Sequence, residues 1–264
     1  MSASRAGVGR ALAAGGLRDL LRGAAGLLAA APGGAARAPG VVRAGDGCAL
    51  AVEHAPPDPA MLHDDDRRLA DAFPARRREQ FLLGRAAANR ALAALDGPGA
   101  GAVGRGPAGA PRWPAGWTGS ISHGGPTAVA VVLPDHAGPI GIDVEPVRAR
   151  DVAELVAHVL SADEHARLAA ACGEPALAFH VGFSTKEAVV KALLPLAPPP
   201  REFREVALDD VRGDGPAGVA CRWRHAGFAG VAHCVAAGDV VCALAVHGAA
   251  RRRGAPDDDP PPGR

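Results

Sequence analysis

Apolar residues recur at two spacings along the chain, and each spacing predicts a different kind of element. From Arg76 to Leu95, "RRREQFLLGRAAANRALAAL" carries a stripe at Phe81, Arg85, Ala88, Leu92 and Leu95. Pro74 stands before it and "DGPG" after it, so a long helix is predicted. One residue breaks the apolar stripe, and it is Arg85. A second long helix is predicted through "FHVGFSTKEAVVKALL", opened at Glu174-Pro175 and stopped by Pro195. Period-two runs give the strands. "SISH" (Ser120–His123) and "AVAVVL" (Ala128–Leu133) flank a Gly-Gly-Pro turn and read as a hairpin, while "PIGIDVE" (Pro139–Glu145) reads as a single strand. "VALDDV", "VACRW", "VAHCVA" and "VVCALAV" supply further strands.

These elements fall into two segments, each with one long helix and several short strands. The expected fold is α+β with two similar, pseudo-twofold lobes, each a small antiparallel sheet packed on a long helix. The expected bounds are 41–145 for the N-terminal lobe and 146–249 for the C-terminal lobe. Residues 1–40, rich in Ala, Gly and Arg, read as a weakly ordered tail with one short helix at Leu12–Leu28. Residues 250–264 hold charge blocks and prolines without an apolar period and read as a disordered tail.

Composition narrows the function. The 264 residues carry a formal net charge of +1, which gives no case for a nucleic-acid partner or an anionic membrane surface. No uncharged stretch in the first 40 residues is long enough to span a bilayer. The five cysteines are odd in number and form no CxxC pair, so they read as buried thiols in a reducing cytosol. "GAGAVG" (Gly99–Gly104) matches a dinucleotide-loop pattern but follows a helix rather than a strand, so it reads as a low-complexity loop. "HDDD" (His63–Asp66) reads as a solvated acidic helix start.

Two short stretches carry candidate chemistry. In "GIDVE", Asp143 and Glu145 project from one face of a strand while Ile140, Ile142 and Val144 bury the other. Gly141 lies on the carboxylate face and leaves room for something to approach. Two adjacent acids need either solvent or a cation, and the pentapeptide alone leaves both open. "FSTKEAVVKA" (Phe183–Ala192) holds every lysine of the chain: of 29 cationic residues, 29 − 2 = 27 are arginine. Lys186 and Lys191 flank Glu187 on a helix. They form either a surface ion pair or a set of charges able to surround an anion.

"GIDVE" followed by "FSTKEAVVK", with "RRREQFLLGRAAANRAL" and "GAPRWPAGWTGSISH" ahead of them, resembles the signature of the 4′-phosphopantetheinyl transferase superfamily. The similarity is to the two-lobed type that serves surfactin and enterobactin synthetases, and it covers roughly residues 60–195. It implies an enzyme that moves the phosphopantetheine arm of coenzyme A onto a serine of an apo acyl or peptidyl carrier protein, releasing adenosine 3′,5′-bisphosphate. By this resemblance Asp143, Glu145 and Glu187 are Mg²⁺ ligands, with Glu187 and Lys191 catalytic. Coenzyme A falls to Arg85, Ser122, His123, Lys186, Lys191 and Arg112, with Trp113-Pro114 bordering the adenine. Glu164 is a second candidate base, and Arg76, Arg77 and Arg78 read as a solvated helix start.

The expected setting is a cytoplasmic monomer in secondary-metabolite or siderophore biosynthesis, without membrane or nucleic-acid partners. Two alternatives share the same residues. One is a Mg²⁺-dependent hydrolase of coenzyme A or nucleotide pyrophosphates, the other a noncatalytic coenzyme A-binding module.

Overall fold

The structure is a computed structural model that describes residues 16–29, 37–45, 47–97, 100–106, 109–148, 152–215 and 218–248. The chain enters through α1 (Leu17–Leu28) and the hairpin β1 (Gly40–Ala44) and β2 (Cys48–His54). It continues through α2 (Asp64–Ala70) and α3 (Ala75–Asp96). A two-residue ladder, β3 (Gly104–Arg105) and β4 (Pro111–Arg112), leads to β5 (Trp117–Gly124) and β6 (Thr127–Pro134). Strands β1-β2-β6-β5 form one antiparallel sheet in that order. Leu83, Ala87, Ala88, Ala91 and Leu92 of α3 pack on its Ala49, Ala51, Ala128, Ala130 and Val132. Small side chains on both surfaces let the helix lie close to the sheet.

The second lobe repeats this plan. It comprises β7 (Ile140–Pro146), α4 (Ala153–Val159), α5 (Ala162–Cys172), α6 (Pro175–Leu193) and the meander β8 (Ala207–Gly213), β9 (Gly218–His225), β10 (Phe228–Ala237) and β11 (Val240–His247). Its antiparallel sheet runs β7-β11-β10-β9-β8. α6 covers one face with Ala188, Val189 and Leu193. The fold is therefore α+β with two similar lobes, each an antiparallel sheet on a long helix.

Two expectations need correction. The strand carrying "GIDVE" does not belong to the N-terminal lobe: β7 pairs with β11 from Ile140↔Val246 to Pro146↔Val240. The lobes thus divide before Ile140 rather than after Glu145. The second concerns residues 1–40. α1 lies in that stretch, yet it buries Leu17, Leu20, Leu21, Ala24 and Leu28 in the core between the two sheets. There it meets Leu50, Val52 and Val131 of the first sheet and Val235, Cys242 and Leu244 of the second. Among the described residues no other helix lies on these sheet faces, so α1 is the cover that keeps them from water. Arg18 Nε holds it to Asp214 Oδ1 at 2.8 Å. Residues 1–15, 30–36 and 249–264, including the expected tail at 250–264, lie outside the described residues.

All five cysteines are free thiols, and four are buried. Burial pushes Cys48 and Cys221 up to about 12, which makes them inert as nucleophiles. Among the described residues no helix is long and apolar enough to cross a membrane.

Candidate active site

Both sheets end in an edge strand at the lobe boundary, β5 on one side and β7 on the other. They meet closely: Ile142 N donates to Ser120 Oγ at 3.1 Å. A Cβ on Gly124 would lie 2.6 Å from the Val144 carbonyl oxygen. Behind β7, a Cβ on Gly141 would stand 1.8 Å from the Ala188 carbonyl oxygen and 2.7 Å from Ala192 N. What approaches Gly141 is therefore the backbone of α6.

That contact brings the two sequence signatures together. Asp143 points from β7 toward α6, and Lys191 Nζ donates to its Oδ1 at 2.7 Å. Ser122 completes a triangle: its Oγ accepts from Lys191 Nζ at 2.9 Å and donates to Asp143 Oδ1 at 2.8 Å. Glu187 sits one helical turn before Lys191 and is half-buried. Burial first, and then the negative charge of Asp143, pushes its carboxyl pKa above the usual range, with Lys191 opposing. Glu145 lies on the same face of β7 as Asp143 and is half-buried. Among the described residues no three His, Cys, Asp or Glu side chains are gathered closely enough to close around an ion.

On the other side of β5, the first lobe opens a basic cavity of about 150 Å³. Arg77, Gln80, Phe81 and Arg85 line it from α3, and His123 from β5. Arg85 is 3 % exposed, with its guanidinium 4.8 Å over the Phe81 ring. Burial pulls its pKa below the ordinary arginine value, and the charge of Arg105 adds to that. Arg77 Nη1 donates to His123 Nε2 at 3.3 Å. Burial, then Arg77, then Lys191 pull the imidazole's pKa below its ordinary value, so His123 is neutral at pH 7. A cavity with two guanidiniums and an imidazole held short of protonation is built for an anion that brings its own charge.

A second cavity, about 360 Å³, lies beside Glu187 in the C-terminal lobe, lined by His158, Val190, Arg201, Phe203 and Arg204 among others. Glu187 thus has Asp143 on one side and an open volume on the other.

Several sequence expectations change here. Lys186 does not reach the Asp143–Lys191 cluster. It is fully buried, and its Nζ donates to Glu164 Oε2 and to the Val159 carbonyl, both at 2.9 Å. Its phase on α6 turns it into the lobe interior, where Glu164 also accepts from Ser161 N and Leu208 N at 2.8 Å each. Lys186 and Glu164 thus form a buried ion pair inside the lobe, away from the Asp143–Lys191 cluster.

Arg112 is exposed, its guanidinium against Gly104, and it does not line the basic cavity. Trp113 packs on Gly119 and the first-lobe core. Arg77, read as part of a solvated helix start, is exposed as expected and also reaches His123. Its spacing held the signal, since Arg77, Phe81 and Arg85 are four apart and share one face of α3. Finally, "HDDD" is only partly solvated: Asp64 and Asp65 pair with Arg67 and Arg68 at the surface, but Asp66 is 0 % exposed.

Comparison with known proteins agrees with this geometry. The family model of the 4′-phosphopantetheinyl transferase N-terminal domain matches residues 64–133, and that of the 4′-phosphopantetheinyl transferase superfamily matches residues 139–245. The chain belongs to the 4′-phosphopantetheinyl transferase superfamily. Within the superfamily it is similar to enterobactin synthase component D of Escherichia coli O157:H7, 45% identical over 84 residues. That match covers 31% of this chain and 39% of the relative. The protein of the same name from Salmonella typhimurium (strain LT2) is 39% identical over 134 residues, covering 50% of this chain and 53% of the relative. The chain thus spans about two fifths to one half of the length of the curated relatives it matches. The two superfamily models meet between residues 133 and 139, where β7 leaves the first lobe.

Proposed function

We propose that this superfamily member transfers the 4′-phosphopantetheine group of coenzyme A to a serine of an apo carrier protein and releases adenosine 3′,5′-bisphosphate. One observation carries the reading. Adjacent residues of an edge strand, Ser122 and His123, tie the Lys191–Asp143 cluster to the Arg77–Arg85 cavity. A ligand lying across that edge meets phosphate-binding cations on one face and an acid–lysine cluster on the other. Coenzyme A has matching groups, a 3′-phosphate at one end of its nucleotide and a pyrophosphate at the other.

The residues then divide the work. Arg77, Arg85 and His123 receive the 3′-phosphate, and its charge raises the proton affinity of His123 as it binds. Lys191 stands where the pyrophosphate comes to rest against β7, held by Ser122. Glu187 accepts the proton of the carrier serine through a carboxylate oxygen that a cation would leave free. The serine oxygen attacks the phosphorus that bears the pantetheine arm. The pyrophosphate P–O bond breaks, and its electron pair leaves with adenosine 3′,5′-bisphosphate.

Mg²⁺ fits the donor chemistry here. Asp143, Glu145 and Glu187 offer only hard oxygen ligands, and the repulsion between Asp143 and Glu187 is one that a cation relieves. When bound, the ion would neutralise charge on the pyrophosphate. One chain supplies both walls of the site, so the reading requires no second copy.

The test is a chromatogram of adenosine 3′,5′-bisphosphate released from coenzyme A with Mg²⁺. Release should require an apo carrier and should stop when the acceptor serine of the carrier is replaced by alanine. Equal release without any carrier would replace transfer by pyrophosphate hydrolysis.

A further inference from the structure

"HDDD" contains an acid with no part in the mechanism above, and its placement is unusual for a residue at a helix start. Asp66 is fully buried. Its Oδ2 accepts from His63 N at 3.1 Å, which caps α2, and from Asn89 Nδ2 at 3.0 Å. Asn89 lies one turn beyond Arg85 on α3 and also donates to the Met61 carbonyl at 2.8 Å. The other oxygen, Oδ1, is buried without a hydrogen-bond partner and stands 3.7 Å from Arg85 Nε. Arg85 is thus fixed by the Phe81 ring against its plane and by a carboxylate on its Nε edge. Its Nη1, although buried, has no hydrogen-bond partner.

A buried donor left idle in this way ordinarily costs stability, and it is retained where a ligand satisfies it. Asp66 does not line the cavity, so any influence it has on a ligand passes through Arg85.

We propose that Asp66 is a positioning residue that holds the Arg85 guanidinium toward the basic cavity, and so sets the preference of the enzyme for 3′-phosphorylated over 3′-dephospho-coenzyme A. The inference rests on the reading above in which that cavity takes the 3′-phosphate. Its physical basis is the flexibility of the arginine stem. A stacked guanidinium can still rotate about the normal to its plane, and the fixed carboxylate on the Nε edge removes that freedom. Asn89 and the capped start of α2 keep the carboxylate itself in place.

The experiment compares KM and kcat for coenzyme A and for dephospho-coenzyme A in the wild type, Asp66→Asn and Arg85→Ala. Asp66→Asn keeps the shape and removes the charge. It should raise KM for coenzyme A roughly tenfold, the size of one lost charged contact. The KM for dephospho-coenzyme A should move far less, so selectivity collapses. Thermal stabilisation by adenosine 3′,5′-bisphosphate relative to adenosine 5′-phosphate should fall in parallel.

Equal shifts for both substrates would reduce Asp66 to fold support and overturn the proposal. So would a lower KM for coenzyme A, which would mean that the carboxylate merely repels phosphate. If Arg85→Ala leaves selectivity untouched, the reading of the cavity itself fails. If Arg85→Ala abolishes selectivity and Asp66→Asn does not, only the positioning role fails. Should Asp66→Asn not fold, Asn89→Ala keeps the charge and frees one anchor. It should then give a smaller loss of selectivity of the same sign, and no loss would overturn the proposal.

Discussion

Gly141→Ala adds a single methyl group where β7 meets α6. The new Cβ would stand 1.8 Å from the Ala188 carbonyl oxygen and 2.7 Å from Ala192 N, both backbone atoms that no rotamer change can move. An ordinary contact needs about 3.5 Å, so the helix must back away by roughly 3.5 − 1.8 = 1.7 Å. Applied to Lys191 Nζ and Asp143 Oδ1, now 2.7 Å apart, that shift gives about 4.4 Å and breaks the contact. Overpacking of this kind costs about 1–3 kcal/mol, which a domain stable by about 5–15 kcal/mol survives. Misplacing reacting groups by about 1 Å can cost about 100-fold in rate. Activity should therefore fall much further than stability. The assay pairs carrier turnover with a urea melt, and it uses Gly26→Ala, where nothing lies within 4 Å of the new Cβ, as the control. A folded Gly141→Ala enzyme that turns over within about twofold of wild type would refute the reasoning, because a loss near 100-fold is what the displacement predicts.

Lys186→Met should lose about 3–5 kcal/mol in a urea melt, because it leaves buried Glu164 without its cation. Loss of coenzyme A affinity without loss of stability would instead return Lys186 to the phosphate site. Glu187→Gln should abolish turnover yet raise Tm at pH 7. The raised carboxyl pKa means the native state holds the Glu187 proton more tightly than the unfolded chain, so ionisation above the unfolded value near 4.5 lowers stability. The gain in Tm should shrink as pH falls and vanish below about pH 4, where both states are protonated. Leu20→Ala in α1 should cost about 2–5 kcal/mol, a value no loose tail would give.

The two long helices and strands β5 to β11 were legible because their apolar periods are strong, whereas β1 to β4 were not picked out. The pairing of β7 was not. Its partner β11 lies about a hundred residues further on, and local alternation says nothing about which sheet a strand joins. The α1 helix was foreseen within Leu12–Leu28, but its place in the core was not, because the Ala-Gly-Arg bias around it resembles an unstructured tail. Within the site, Lys191 pairs with Asp143 and Glu187 lies beside them, while among the described residues no three acids gather around one point. Lys186 was placed beside Lys191 by sequence, but two lysines about 140° apart on a helix face different surroundings, and only the packing of α5 and β8 shows that one of those is the interior. The same blindness to tertiary burial hid Asp66 behind two solvated neighbours of its own kind.

The central claim is transfer to a carrier serine, and intact-mass measurement tests it most directly. Incubated with coenzyme A, Mg²⁺ and an apo carrier protein, the enzyme should raise the carrier mass by one phosphopantetheine, and the Asp143→Ala enzyme should not. An unchanged carrier mass across fatty-acid, polyketide and nonribosomal-peptide carriers would contradict the account.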